Sequence, residues 1–193
     1  MNKKIITLLV LIGGIGIAVL FFPTRDQLPY HGSVKSFTIE SAFGGTYDFS
    51  NKRNKLVVFF FTNCPDICPM TIANMKELQG RLEEDGLFNN RLDIVAISLD
   101  PEEDTPLKIK EYAKHFDADQ KGWHWLRTTT AETKEIANRF SMLYDKSTDG
   151  TLSHSTTMYL VDDKEEIRGL YSMATPKQSA DIDQISRDVN KLK

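Results

Sequence analysis

The apolar residues of this chain fall into blocks of different period. Leu56-Val57-Val58-Phe59-Phe60-Phe61 is a continuous apolar run, too short for an ordinary helix, which predicts a strand buried on both faces. From Pro69 the pattern changes: Met75, Leu78 and Leu82 step by three and four and predict an amphipathic helix, with Gly86 as its stop. Leu92 to Leu99 reads as a second buried strand, broken by Asp100-Pro101. Asp104 or Thr105 caps the next helix, with Pro106 near its first position and Ile109, Tyr112 and Phe116 inward. A strand, helix, strand order makes the two strands parallel neighbours in one sheet.

The flanking blocks are shorter. Phe37 and Ile39, then Tyr47 and Phe49, alternate with polar residues around Gly44-Gly45 and predict a hairpin within Val34 to Ser50. Trp123 to Leu126 reads as a short strand. Thr129 and Glu132 form a capping-box pattern before a helix bearing Ile136, Ala137 and Phe140. Ser147 to Gly150 is a polar loop. Thr156 to Val161 and Glu166 to Tyr171 read as an antiparallel pair, and Thr175-Pro176 as the opening of a last helix with Ile182, Ile185 and Val189 inward. The order resembles thioredoxin, with an N-terminal β-hairpin added: an α/β fold.

The start of the chain is different. After Lys3 and Lys4, the run from Ile5 to Phe22 has no charge. As a helix it spans about 27 Å, close to the roughly 30 Å of a bilayer core. It reads as a membrane anchor over residues 1–24, or as a cleaved secretory signal; its length and the lack of an A-x-A-like site before Pro23 favour the anchor. Either way the two lysines stay cytoplasmic and the rest is exported. Residues 25–33 read as a linker and 34–193 as the folded domain. Without Lys3, Lys4 and Arg25, the exported part has 21 basic against 27 acidic residues, a net charge of −6. That argues against a nucleic-acid partner, which needs a basic face.

The chemistry is concentrated in Thr62-Asn63-Cys64-Pro65-Asp66-Ile67-Cys68-Pro69-Met70, which holds both cysteines of the chain. The loop that a bond between them would close is too short to constrain the unfolded chain much, so stability is a poor reason for the pair. The cysteines lie where a buried strand meets a helix, and a helix N-terminus favours the thiolate. If the turn is helical, both sulfurs face one side, a soft pair suited to Cu(I) and tolerable for Zn(II). Thioredoxin-like oxidoreductases carry a cis-proline opposite their cysteines. That proline lies in the loop leading into the antiparallel pair; the matching loop here, Leu152-Ser153-His154-Ser155-Thr156, has none and carries a histidine. His31, His115 and His124 have no such context and read as surface or packing residues. Asp66 reads as a tuner of the thiols or a solvated turn residue, Asp100 as a turn residue near the site rim, and Met70 as packing.

Cys64-Pro65-Asp66-Ile67-Cys68-Pro69, Asp100-Pro101-Glu102-Glu103-Asp104-Thr105-Pro106, the Trp123 to Leu126 segment, and His154 ahead of Tyr159-Leu160-Val161 together resemble the Sco/SenC family. The resemblance covers about residues 34–172 plus the anchor. It implies a membrane-tethered, thioredoxin-like protein that binds copper, as Cu(I) or Cu(II), through Cys64, Cys68 and His154. It implies a metallochaperone for the dinuclear copper centre of cytochrome c oxidase, with oxidase subunit II as the acceptor. A thiol reductase or an upstream copper donor would be further partners. A second reading is a thiol–disulfide oxidoreductase, in which Cys64 attacks a disulfide of the oxidase subunit and Cys68 resolves it. The short Lys-Lys start favours a bacterial plasma membrane, with the domain on its extracytoplasmic face. Two departures stand out: Arg127-Thr128 replaces a glycine-containing turn, and no lipid-attachment cysteine is present.

Overall fold

A computed structural model describes residues 27–192. The anchor expected over residues 1–24 lies outside them; among the described residues, no helix is long and apolar enough to cross a membrane.

The buried run becomes strand β4 (Asn54–Phe60), in which every residue is buried. It pairs in parallel, Leu56 against Ile94 and Phe60 against Ser98, with β5 (Leu92–Ser98). Between them runs α1 (Ile67–Glu84). Gly86, at φ 67°, ends that helix: the Leu87 N–H reaches the Leu82 carbonyl and the Gly86 N–H the Glu83 carbonyl, a closure that needs a left-handed residue. After α2 (Pro106–His115) the chain adds β6 (Trp123–Arg127), parallel to β5. The predicted hairpin, β2 (Thr38–Ser41) and β3 (Thr46–Asp48), extends the sheet beyond β6. On the other side of β4 lie β9 (Thr157–Val161) and β10 (Glu166–Ser172), antiparallel as expected. With β1 (Gly32–Ser33) the order is β1-β10-β9-β4-β5-β6-β2-β3.

Because successive residues of β4 point to opposite faces, the sheet builds two cores. Leu56, Val58 and Phe60 pack with Ile72, Met75 and Leu78 of α1, and Ile185 of the last helix joins them. Val57 and Phe59 pack with Ile39, Tyr47 and Phe49 of the hairpin and with Ile136 and Phe140 around α3 (Thr130–Arg139). Each such large side chain contributes about 1.5–3 kcal/mol by leaving water. β4, like its neighbours β5 and β9, feeds both cores and is buried along its whole length, which makes its C-terminal end a rigid place for a reactive loop.

Three readings are corrected. The last helix, α4 (Ile182–Lys191), does not open at Thr175-Pro176; Asp181 caps it by accepting from the Gln184 N–H, and Thr175 instead bridges to Gln178. The stretch around His154 is not all loop: Leu152–His154 form β8, paired with β7 (Tyr144–Lys146) in a separate two-stranded sheet. Within residues 25–33, Leu28 is buried and Gly32–Ser33 pair with β10, so part of that stretch is fixed to the domain.

Candidate metal and thiol site

The loop after β4 holds the first cysteine and α1 holds the second. The Asp66 carboxylate caps the helix by accepting from the Ile67 N–H at 2.6 Å. Pro69 has no N–H to offer. The Cys68 N–H points instead at the Cys64 sulfur, 3.4 Å away. Both cysteines are free. Cys64 is half-buried, whereas Cys68, on the first turn of α1, is buried in the first core.

This asymmetry divides the two thiols chemically. The Cys68 thiol donates to the Cys64 sulfur, and the backbone N–H groups of Cys68 and Asp66 support the same negative charge. Together they outweigh burial and push the Cys64 pKa down to about 6. Cys68 moves the other way: it is the donor in that bond, it is buried, and it faces the Cys64 charge. At neutral pH the pair holds one thiolate and one thiol. Beneath them the Tyr112 phenol is held neutral, first by burial and then by the sulfurs.

The loop itself is tied down by Asp104. Its carboxylate is fully buried and accepts from the Thr62 N–H at 3.0 Å, the Thr62 hydroxyl at 2.5 Å and the Ser98 hydroxyl at 2.6 Å. It joins the ends of β4 and β5 two residues before Cys64. Thr105, not Asp104, is the cap of α2. The family-like motif contained Asp104, but nothing local in the sequence distinguishes a cap from a buried bridge. Asp100 is also buried, and its carboxylate pairs with Lys146 of β7 at 2.7 Å. Lys146 was not singled out in the sequence, because its partners lie more than forty residues away.

His154 sits at the end of β8, with its ring edge-on to Phe61 at 5.9 Å. Nδ1 lies 2.9 Å from the Ser155 carbonyl, which leaves Nε2 for a ligand. Burial lowers its pKa, which keeps the imidazole neutral and able to coordinate. The structure therefore brings Cys64 and Cys68 together and places His154 on the adjoining hairpin. It does not gather the three into one cluster: among the described residues, no three His, Cys, Asp or Glu side chains are grouped closely enough to hold an ion. Asp66 is the exposed cap of α1, and Met70 is half-buried. His31 and His115 are exposed, and His124 lies tilted against Tyr47 beside the buried Asp93.

A groove of about 530 Å³ separates the thiol loop from the hairpin, lined by Phe61, Asn63, Pro65, Asp100, Lys146 and Leu152 among others. A larger cavity of about 810 Å³, beside Leu28 and Arg168, contains none of the site residues.

Comparison with known proteins adds to this geometry. A family model described as SCO1/SenC matches residues 34–190. The crystal structure of a SCO1/SenC family lipoprotein from Bacillus anthracis is similar, with a TM-score of 0.75 and 25% identity, over 89% of this chain and 98% of that one. A structure of BsSco, described as a member of the Sco family of cytochrome c oxidase assembly proteins with a disulfide switch, has a TM-score of 0.73 and 26% identity, over 86% and 97%. Arabidopsis thaliana ScoI with copper bound has a TM-score of 0.68 and 25% identity, over 82% and 96%.

Proposed function

The chain belongs to the SCO1/SenC family, and on that footing we propose that it is a membrane-tethered copper metallochaperone that assists assembly of the dinuclear copper centre of cytochrome c oxidase. One observation carries the reading: a thiolate-prone Cys64 is held against Cys68 at the rigid end of β4, next to a hairpin that presents a neutral histidine. Two sulfurs form a soft pair for Cu(I), and an imidazole nitrogen added to them suits Cu(II). Copper is the cargo. Cys64 and Cys68 are its preformed holders, and His154 joins when the β7–β8 hairpin and the thiol loop approach across the groove. The copper-bound relative and the oxidase-assembly relative support the reading. The acceptor is oxidase subunit II, on the extracytoplasmic face of a bacterial plasma membrane. The anchor confines the search for it to that surface and raises the effective concentration.

A second reading has its own observation. A thiolate at Cys64 beside a thiol at Cys68 is the arrangement of an attacking and a resolving sulfur, and a relative is described as having a disulfide switch. Cys64 would attack a disulfide of the oxidase subunit. A mixed disulfide forms as one substrate thiolate leaves; Cys68 then displaces the other, leaving the substrate reduced and Cys64–Cys68 oxidised.

Titration of the reduced protein with Cu(II), followed by sulfur-to-copper charge-transfer absorption, separates the readings. The chaperone reading expects one copper per chain, with absorption that is lost in Cys64→Ser and Cys68→Ser and strongly weakened in His154→Ala. Cu(I) retention in His154→Ala should fall much less. Absence of bound copper together with rapid reduction of a test disulfide would transfer the assignment to the oxidoreductase.

A further inference from the structure

The hairpin that carries His154 is not part of the main sheet. Among the described residues, β7 and β8 pair only with each other, Tyr144 opposite His154 and Lys146 opposite Leu152. Residues opposite one another, and residues two apart, share a face. Tyr144, Lys146, Leu152 and His154 therefore point the same way, while Asp145 and Ser153 are exposed on the other side. Tyr144 and Leu152 pack loosely against the second core, and His154 meets Phe61.

The polar contacts of this hairpin are lopsided. Within residues 144–154 the turn is closed by the hairpin's own groups: Ser147 N–H to the Thr151 carbonyl, Gly150 N–H to the Ser147 carbonyl, and Thr151 N–H to the Asp149 carboxylate. Among the described residues, and apart from the His154 Nδ1 contact with the carbonyl of the next residue, Ser155, the side-chain hydrogen bonds that leave this segment for the rest of the domain come from Lys146. Its ammonium lies 2.7 Å from the Asp100 carboxylate and 3.3 Å from that of Glu102.

The far side of that tie is firm. The Asp100 carboxylate is only 7% exposed. The Asp100 N–H donates to the Ser98 hydroxyl, its carbonyl accepts from Glu103 and Asp104, and Arg127 donates to the Pro101 carbonyl. Asp104 in turn holds Thr62, two residues before Cys64. One lysine thus connects the histidine hairpin to the same loop that fixes the thiols.

We infer that Lys146 is a positioning residue: through Asp100 it holds the inward face of the β7–β8 hairpin toward the thiol loop and so sets how readily Nε2 of His154 reaches a metal held by Cys64 and Cys68. The inference rests on the copper reading for the metal. Its mechanical half, restraint of the hairpin, stands on the ion pair alone. Loss of the pair leaves both sulfurs untouched and frees the histidine to wander, so its cost falls on the oxidation state that needs nitrogen.

The test uses the full reduced chain in detergent micelles, as wild type, Lys146→Gln and Lys146→Arg. Amide hydrogen exchange in peptides covering residues 144–154 is read first, without copper. Exchange there should rise severalfold in Lys146→Gln, remain near wild type in Lys146→Arg, and be unchanged in peptides from α1. Cu(II) affinity should then fall about tenfold in Lys146→Gln, the low end for a group that orients a ligand from outside. The nitrogen hyperfine signal should weaken, Cu(I) affinity should hold, and Lys146→Arg should restore the wild-type values. Unchanged hairpin exchange in Lys146→Gln would overturn the inference, as would equal losses of Cu(I) and Cu(II) affinity. A wild type that binds no copper, alongside faster hairpin exchange in Lys146→Gln, overturns the copper reading but supports the restraint.

Discussion

At the residue scale the site turns on the difference between two cysteines four positions apart. Cys68 reaches into the core and gives both its thiol and its backbone N–H to Cys64, so charge collects on the outer sulfur. Cys68→Ala removes the S–H donor and keeps the N–H. The Cys64 pKa should then rise from about 6 toward the ordinary thiol value of about 8.5. The sign follows directly: a raised pKa leaves less thiolate at pH 7, so alkylation of Cys64 at that pH should slow severalfold. Rate against pH for iodoacetamide checks it, with a wild-type midpoint near 6 that moves up in the variant. Identical midpoints would mean that the backbone alone supports the charge. The cysteines and His154 were legible in the sequence because they are rare residue types in a telling order. Their inequality was not, since it depends on burial depth and on which N–H meets which sulfur.

Elements were legible in proportion to how far their stability is local. β4, α1 and β5 carry their own periodicity, and the caps of α2 and α3 use nearby side chains. β1, β7 and β8 have only two or three residues each; a strand that short is defined by its partner, not by its own pattern. The start of α4 misled for a related reason: Thr175-Pro176 has the composition of a helix start, but Thr175 is taken up by a bridge to Gln178. Asp104 belongs at this scale because it fastens one element to another. Asp104→Ala leaves the Thr62 N–H and the Ser98 hydroxyl without their acceptor. Unmet buried donors cost about 1–3 kcal/mol each, and Thr62, half-buried, can recover part of its loss from water. The expected destabilisation is about 2–4 kcal/mol, read as a lower urea midpoint at unchanged slope. A midpoint within error of wild type would show that the loop does not depend on this bridge.

For the whole molecule the decisive relation is between the place where the chain joins the sheet and the place where the thiols sit. Gly32 pairs with Ile167, Ile167 with Val161, and Val161 with Lys55, so β1 meets the sheet at the N-terminal end of β4. Cys64 lies beyond the C-terminal end of the same strand. Seven residues of strand put about 20 Å between the two ends. If residues 5–22 anchor the chain, the thiols face away from the bilayer, where a partner's copper centre or disulfide can meet them. This orientation can be measured in vesicles containing nitroxide-labelled lipid. A fluorophore on Cys64, in a Cys68→Ser chain, should escape quenching; the same fluorophore on Gln27→Cys, in a chain with both native cysteines changed to serine, should be quenched strongly. Equal quenching at the two positions would mean that the domain lies down on the membrane with its site against the lipid. Exchange with a partner would then require the domain to lift away first. The net charge of −6 on residues 26–193 works against lying down on an anionic bilayer and favours the upright outcome.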